Sequence, residues 1–186
     1  MMNQNDTTAA GNRYVAFLRG VNVKGTNMKM EAVRLVFQQA GMKDVSSVLA
    51  SGNILFNSAV PVEELTPLLS NAMGTHFDYE AFLFIKTAAE IESMIEHNPF
   101  ESDPDHHVYC FIGIPQVEQT LMEEFQLVAS SDTQDAAEIA GHCFYWRVPK
   151  NSTLESPFGK ILGRKQLKSN FTSRNQNTIQ KIALKL

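Results

Sequence analysis

The stretch "DVSSVLASGNILFNSA", residues 44–59, decides which fold the sequence predicts. Two runs typical of strands, "DVSSVLA" and "ILFNSA", are separated only by the three residues "SGN". Gly52 and Asn53 both tolerate a positive φ, so the pattern predicts a tight hairpin. Because a tight hairpin joins antiparallel strands, the sheet is expected to be antiparallel at this point.

The segments on both sides of this hairpin alternate between helix and strand patterns. "RYVAFLRG" (13–20) predicts a buried strand, and residues 28–42 have apolar side chains near helical spacing. After the hairpin, residues 61–77 predict a second helix, whose start is blurred by Pro67, and "YEAFLFIK" (79–86) predicts a strand. The order β-α-β-β-α-β is that of a ferredoxin-like unit, in which two helices cover one face of a four-stranded antiparallel sheet.

The second half of the chain has a similar pattern in the order α-β-α-β-β-α. Thr87 is a helix cap followed by acids, "VYCFIGIP" (108–115) is strand-like, and Gly141 lies in a predicted hairpin. We therefore predict an α+β fold of two joined ferredoxin-like units (alpha-beta plaits) with antiparallel sheets. The predicted parts are a disordered lead-in (1–12), a first unit (13–86) and a second plait-like unit with a basic C-terminal helical segment (87–186).

The charges of the chain are unevenly distributed. The formal net charge is −4, yet residues 150–186 carry eight lysines and arginines against the single acid Glu155. Such asymmetry indicates that the basic segment meets an anion. That anion is either a ligand or the acidic body of the protein itself, and the sequence leaves both alternatives open.

Composition excludes several classes of protein. No segment approaches the ~20 apolar residues that a membrane span needs, and "MMNQNDTTAAGN" lacks the apolar and basic regions of a secretory signal. Cys110 and Cys143 are far apart in strand-like surroundings, which argues against a disulfide framework or a zinc site. We expect a cytoplasmic protein with buried thiols and no membrane partner.

The sequence offers no catalytic group. "GVNVKGTN" (20–27) lacks the lysine that a nucleotide-binding P-loop requires after Gly25, so this motif does not support nucleoside-triphosphate hydrolysis. The five histidines have no metal-binding spacing, and Ser51 is not in a nucleophile elbow. We therefore predict no metal and no cofactor, and the existence of a reaction stays open.

The C-terminal stretch "TSRNQNTIQKIALKL" (172–186) predicts a helix opened by a capping box of Ser173 and Gln176. A helix N-terminus attracts anions, and the fork of Arg174 suits phosphate or carboxylate. The same residues also suit a structural role, in which Asn175 satisfies backbone groups of a loop and Arg174 pairs with an acid of the body. Both interpretations fit the pattern.

Three stretches together resemble a known family. "RYVAFLRGVNVKGTNMKMEAVRLVFQQAGMKDVSSVLASGNILF", "HNPF" and "TSRNQNT" resemble, in this order, elements of the DUF1697 family of bacterial proteins of unknown function. The resemblance implies two joined alpha-beta plaits and no established activity. The chain departs from the family at Gln176, where tryptophan is usual, and at Lys24, where glycine is usual.

The residues that carry this resemblance come from both ends of the chain and are polar or glycine, which suggests that the ends meet in space. We predict that they form one ligand site: Arg19, Gly20, Asn22, Ser51, Gly52, Asn53, Arg174, Asn175, Asn177 and Thr178. The expected ligand is a small anion, for example a phosphorylated compound, held between the halves, and Arg19 and Arg174 are expected to recognise its charge. Two alternatives are nucleic-acid binding through the basic C-terminal segment and a purely structural role of the motifs. The oligomeric state stays open.

Overall fold

The computed structural model describes residues 11–21, 28–78, 80–130, 133–167 and 169–186. Asn22, the rest of the loop 22–27 and the lead-in residues 1–10 lie outside the described residues.

Strands and helices alternate along the described chain in two similar series, joined by a helix. The first series is β1 Asn12–Arg19, α1 Met30–Gln39, β2 Lys43–Ser47, β3 Asn53–Ser58, α2 Val62–Phe77 and β4 Phe82–Thr87, followed by the joining helix α3 Ala88–Glu96. The second is β5 His106–Gly113, α4 Val117–Gln126, β6 Ala136–Ala140, β7 Cys143–Pro149, α5 Pro157–Leu162, a 3₁₀ turn Lys165–Leu167, β8 Phe171–Asn175 and α6 Gln176–Ala183.

The two series form two four-stranded antiparallel sheets with the same topology. The first sheet has the order β2-β3-β1-β4 and the second has the order β6-β7-β5-β8. In each sheet the first and third strands are central, which is the arrangement of the ferredoxin-like unit. The predicted α+β fold of two plait-like units is confirmed. We call β1 to β4 with their helices the first unit, and β5 to β8 with α4 and α5 the second unit.

Alternation along the strands divides the interior into three layers of apolar side chains. Tyr14, Ala16 and Leu18 face α1 and α2, while Val15 and Phe17 face the second unit. A third cluster packs the second sheet against α4 and α5. The middle cluster, here called the central layer, joins side chains of both sheets to α3 and α6. Arg19 continues the row of Val15 and Phe17, so the strand directs it toward the second unit.

Local signals explain where several helices begin and end. At the end of α1, Gly41 (φ 92°) follows the last helical turn, and Met42 N donates to Phe37 O at 3.0 Å. At the start of α3, Thr87 Oγ1 accepts from Glu90 N at 3.2 Å, and Thr87 N donates to Glu90 Oε2 at 2.8 Å. Among the described residues, no helix has the length and apolar character needed to cross a membrane.

The predicted tight hairpin at residues 51–53 is wrong in its length. Strand β2 ends at Ser47, and Val48 N donates to Asn53 O at 2.9 Å, so four residues from Leu49 to Gly52 form the turn. Asn53 is the first residue of β3 and is fully buried rather than part of the turn. Its Nδ2 donates to Val48 O at 2.8 Å, which closes the longer loop.

The predicted helix start in the C-terminal stretch is also wrong. Residues 171–175 form β8, an edge strand that pairs with β5 from Phe171↔Gly113 to Asn175↔Tyr109. Ser173 therefore lies in a strand, and Asn175 caps α6 by accepting from Asn177 N at 2.9 Å. The alternation of β8 escapes sequence analysis because the two side chains on its inward face are Thr172 and Arg174, both polar.

Candidate functional site

Arg174 occupies the junction between the two units. It lies on β8 opposite Cys110, and its side chain enters the central layer, where the residue is 8% exposed. A buried guanidinium normally requires an acid or a full set of hydrogen-bond acceptors. Among the described residues, no carboxylate forms an ion pair with Arg174. The predicted pairing of Arg174 with an acid of the body is therefore absent there.

Oxygen atoms from both units satisfy the guanidinium instead. Nε donates to Asn53 Oδ1 at 2.5 Å. Nη1 and Nη2 donate to five further oxygens: Thr172 Oγ1 at 2.7 Å, Ser173 O at 2.8 Å, Leu18 O at 2.8 Å, Ser51 O at 2.9 Å and Gly52 O at 3.3 Å. An arginine has five N–H donors, so none remains for a ligand. Arg174 thus fastens the hairpin loop and the end of β1 to β8.

The hairpin loop is built to present these oxygens. Asn53 Nδ2 donates to Val48 O at 2.8 Å and to Ser51 Oγ at 3.0 Å, which leaves its Oδ1 for Arg174. Gly52 has a φ of 77°, and a Cβ at this position would lie 3.0 Å from Leu18 Cβ. A larger residue would therefore disturb both the turn and its contact with β1. The "SGN" motif (residues 51–53) therefore has a structural role: it holds the turn and places its oxygen atoms next to Arg174.

Burial and a neighbouring cation both act on Arg174. Burial, followed by the charge of Arg19, lowers the pKa of Arg174 to about 10. The guanidinium remains protonated at neutral pH, and it lies 5.6 Å from the centre of the Phe17 ring. Because its surroundings supply partial charges only, the positive charge in this region is not neutralised by the described residues.

Arg19, at the end of β1, is the second cation of the junction, and its guanidinium is less occupied. Its Nη1 donates to Phe171 O, and its guanidinium carbon lies 4.7 Å from the centre of the Phe171 ring. The residue is half-buried, and burial lowers the pKa of its guanidinium. No described carboxylate forms an ion pair with it. Arg19 is therefore a partly desolvated cation without an acidic partner in the described chain.

A cavity of about 340 Å³ adjoins Arg19, and we call it the Arg19 pocket. Tyr109 and Trp146 lie in its wall with stacked rings whose centres are 5.7 Å apart. Thr153, Thr172 and Ser173 also line it, although the Thr172 hydroxyl accepts from Arg174. The pocket joins one cation of the first unit to an aromatic, hydroxyl-bearing surface of the second. The sequence does not indicate this aromatic wall, because aromatic residues within the apolar run of a strand are typical of a hydrophobic core.

The structure divides the predicted site into two groups. Arg19, Ser51, Gly52, Asn53 and Arg174 lie together at the junction, and Gly20 (φ 80°) follows Arg19 directly. The second group consists of Asn175, Asn177 and Thr178, and Asn22 lies outside the described residues. The meeting of the two ends of the chain agrees with the prediction made from the motifs.

Asn175 and Asn177 line a different cavity, of about 240 Å³, together with His106, His107 and Lys150. Asn175 Nδ2 lies 3.2 Å from His107 Nδ1, and its Oδ1 caps α6. Thr178, predicted to share the site, is half-buried in the first turn of that helix. Asn175 faces away from Arg174 because successive side chains of β8 point to opposite sides of the sheet, and Asn177 and Thr178 lie beyond the strand in α6.

Metal chemistry finds no support in the described part of the chain. No group of three or more histidine, cysteine, aspartate or glutamate side chains there is placed to hold a metal ion. His106 forms a close pair with Asp103, with 2.6 Å between Nδ1 and Oδ2, and both lie in one turn. Two such groups on a partly exposed turn are insufficient for a structural metal site.

Comparisons with known proteins agree with this architecture. Residues 12–145 match the model of the family DUF1697, described as proteins of unknown function. The chain is also similar to the solved structure of conserved bacterial protein SP0830 from Streptococcus pneumoniae, with 21% identity and a TM-score of 0.75 over 93% of this chain and 97% of that one. At this identity the likeness shows the fold alone. No curated protein matches the chain.

Proposed function

The chain belongs to the DUF1697 family, whose function is unknown, and from the geometry of its junction we propose that it binds a small anionic ligand in the Arg19 pocket. The ligand combines one anionic group, a carboxylate or a phosphate, with a flat apolar portion. Arg19 recognises the charge, and Arg174 holds the junction in place. This assignment differs from the sequence-based one, which gave charge recognition to both arginines.

The observation that carries the proposal is the unequal use of the two guanidinium groups. All donors of Arg174 are used within the protein, whereas Arg19 makes one hydrogen bond to a described residue, to Phe171 O. A half-buried cation without an acid has lost part of its hydration and gains from an anion. The free edge of a guanidinium binds carboxylate or phosphate through two parallel hydrogen bonds.

The walls of the pocket define the rest of the ligand. A volume of about 340 Å³ is at the lower end of the range for small-molecule sites. The half-buried ring of Tyr109 supplies apolar surface, Trp146 and Phe171 line the same pocket as buried rings, and Thr153 and Ser173 supply hydroxyl groups for orientation. A compound with one ring and one anionic group fits this combination better than an extended dinucleotide.

Thermal unfolding with a ligand panel tests the proposal. The panel contains inorganic phosphate, aromatic carboxylates, aryl phosphates, mononucleotides and short oligonucleotides. A ligand at 100 times its Kd stabilises the folded state by about 2.7 kcal/mol. We expect such a shift for the wild type and for Arg164→Met, which removes an exposed arginine paired with Glu124. We expect no shift for Arg19→Met. An equal shift in Arg19→Met contradicts recognition by Arg19.

Nucleic-acid binding is the second candidate, favoured by the exposed cations of the C-terminal segment. Lys160, Arg164, Lys165, Lys181 and Lys185 are all exposed, and only Arg164 forms an ion pair with a described acid. Duplex binding through Z phosphate contacts lowers the logarithm of affinity by about 0.9Z per tenfold rise in salt, whereas one small anion gives a shallow dependence. Oligonucleotide binding that is steep in salt and unchanged in Arg19→Met supports this candidate instead.

A further inference from the structure

Strand β4 forms one edge of the first sheet, and one side of its backbone is open. Among the described strands it pairs with β1 alone. In an antiparallel sheet the N–H and C=O groups of successive residues point alternately to the two neighbouring strands. Leu18 N donates to Gly52 O at 2.8 Å, so Leu18 and every second residue before it bond toward β3. The remaining residues of β1 therefore bond to Phe82, Phe84 and Lys86 of β4.

The open side of β4 presents backbone groups that no described residue binds. The same alternation directs the N–H groups of Leu83, Ile85 and Thr87 away from β1. Thr87 N donates to Glu90 Oε2 in the cap of α3. For Leu83 and Ile85, which are only 4% and 8% exposed, the described chain supplies no such partner. Because buried backbone groups are nearly always hydrogen-bonded, this row suits an occupant that carries the matching donors and acceptors.

A groove runs along this open side. A cavity of about 350 Å³ borders residues 81–85, and a second cavity, of about 420 Å³, borders Lys86 at the end of the strand. Residues 113–115 line both cavities, so the two adjoin, and we call them together the edge groove. Ile114, in the wall that the second unit contributes, is 46% exposed. The edge groove and the Arg19 pocket have no lining residue in common.

The other edge of the first sheet is protected, whereas β4 is not. The register of β2 shifts between Lys43 and Ser46, and Asp44 within this irregularity has a φ of 49°. Lys43 and Asp44 are also exposed charges. Bulges and charged side chains are devices that keep an edge strand from pairing with another chain. Strand β4 keeps an unbroken register with β1, and its residues 82–85 carry no charge.

We propose that the edge groove binds an extended peptide segment of a partner protein, which adds to β4 as a fifth strand of the first sheet. The partial charges of the Leu83 and Ile85 backbone groups are complementary to those of an extended chain. No described residue that lines the 350 Å³ cavity is charged, so the bound segment is uncharged there, with apolar side chains that cover Ile114. The groove ends at Lys86, which forms an ion pair with Glu90, with 2.7 Å between Nζ and Oε1.

Amide hydrogen exchange, followed by NMR at low and high protein concentration, tests the open edge in the protein alone. We expect the amides of Leu83 and Ile85 to exchange at least about tenfold faster than those of Phe84 and Lys86, which bond to β1. Equal protection of the four amides overturns the proposal. Protection of Leu83 and Ile85 that rises with protein concentration also overturns it, since a second copy of the chain then occupies the edge.

A phage-displayed library of random eight-residue peptides is the probe for the occupant. Peptides selected on wild type are synthesised, and their Kd is measured with wild type, Ile114→Arg and Leu35→Arg. Leu35 of α1, 47% exposed and outside the edge groove, is the matched control. We expect binding at least about tenfold weaker in Ile114→Arg and unchanged in Leu35→Arg. In the complex, exchange of the Leu83 and Ile85 amides should slow at least about tenfold.

N-methylation of the selected peptide separates strand addition from simple apolar contact. Methyl groups on every second backbone nitrogen block the N–H groups that face β4, whereas methyl groups on the other nitrogens leave these N–H groups free. We expect one methylated peptide to bind at least about tenfold more weakly and the other to bind like the unmodified peptide. Recovery of no peptide, equal effects of both methylations, or equal binding by Ile114→Arg and Leu35→Arg overturns the proposal.

Discussion

At the scale of single residues, Arg174 shows how a buried charge is accommodated without an acid. Its six acceptors come from three segments that are distant in sequence: the end of β1, the hairpin loop and β8 itself. Carbonyl dipoles that converge on one cation take the place of a counter-ion and of water. The same arrangement makes the residue hard to replace, since no other side chain supplies five N–H donors, and among these oxygens Gly52 O has a second donor in Leu18 N.

Arg174→Met should therefore destabilise the protein strongly. Methionine retains much of the apolar stem but supplies no donor to Asn53 Oδ1 and the carbonyl oxygens. Buried acceptors left without a partner cost roughly 1–3 kcal/mol each, partly relieved by relaxation, so we expect a loss of about 3 kcal/mol. Urea unfolding followed by circular dichroism measures it. Arg164→Met, at an exposed site, should change the free energy of unfolding by less than about 0.5 kcal/mol; equal effects contradict the role of Arg174.

Arg19→Met should have the opposite profile. Arg19 is half-buried, makes one described hydrogen bond, and its charge lowers the pKa of Arg174 because the two cations repel. Removing it relieves that repulsion, so we expect the free energy of unfolding to fall by less than about 1 kcal/mol or to rise. The same urea titration decides this, with Arg174→Met as the reference. A loss as large as that of Arg174→Met would mean that Arg19 is a structural residue.

At the scale of elements, sequence analysis succeeds where local signals agree with the final packing. The capping residues of α3, the glycine after α1 and the apolar run of β1 all act within a few residues of where they lie. It fails at β8 because that strand buries Thr172 and Arg174, whose environment comes from the first unit. The predicted length of the hairpin loop is wrong for the same reason, since Asn53 is buried by Arg174 rather than exposed in a turn.

The start of α3 gives a pH-dependent prediction. Burial acts to raise the pKa of Glu90, but hydrogen bonds from Lys86 and from Thr87, with the Lys86 charge, outweigh it and hold this pKa below its ordinary value. A carboxyl group with a depressed folded pKa stabilises the protein above its unfolded pKa, ~4.3, and this stability is lost as pH falls through the folded pKa. Between pH 6 and pH 3, wild type should lose more stability than Glu90→Gln in urea titrations.

Glu118→Gln is the control for this measurement. Glu118 also lies in the first turn of a helix, α4, but it has no described ion pair. We expect its acid sensitivity to match that of wild type. If Glu90→Gln loses stability with acid as steeply as wild type and Glu118→Gln do, the carboxylate of Glu90 does not stabilise the protein through its ion pair and cap.

At the scale of the whole molecule, the meeting of the motif residues in space could be predicted in part from the sequence. Polar motif residues at both ends of the chain indicate that the ends meet, and Arg174 does contact the segment that contains Ser51 and Asn53. The sequence could not show that Asn175 points to the other side of the strand from Arg174, or that Asn177 lies beyond the strand in α6, because this required knowing that residues 171–175 form a strand. Nor could it show which arginine has fewer hydrogen bonds to the described residues, since that depends on acceptors from distant elements.

The shared central layer makes one cooperative unfolding transition the expectation for both units. It contains Val15 and Phe17 from the first unit and Ile112 and Tyr145 from the second, so separating the units would expose apolar surface on both. The single tryptophan, Trp146, is buried in the second unit and reports on that unit alone. We expect the urea midpoint from its fluorescence to equal that from circular dichroism, which reports on both units.

Arg174→Met sharpens this test because it removes the polar contacts that Arg174 makes between the units, while the apolar layer and the hydrogen bond from Arg19 to Phe171 O stay in place. If the apolar layer is what couples the two units, both midpoints should move to lower urea by the same amount and still coincide. If the hydrogen bonds of Arg174 are the main coupling, the midpoints should separate, and the fluorescence of Trp146 should report a second unit that unfolds on its own. The three apolar clusters are continuous with the sheets they cover, whereas the Arg174 contacts lie at one edge, and this favours coincident midpoints in the variant.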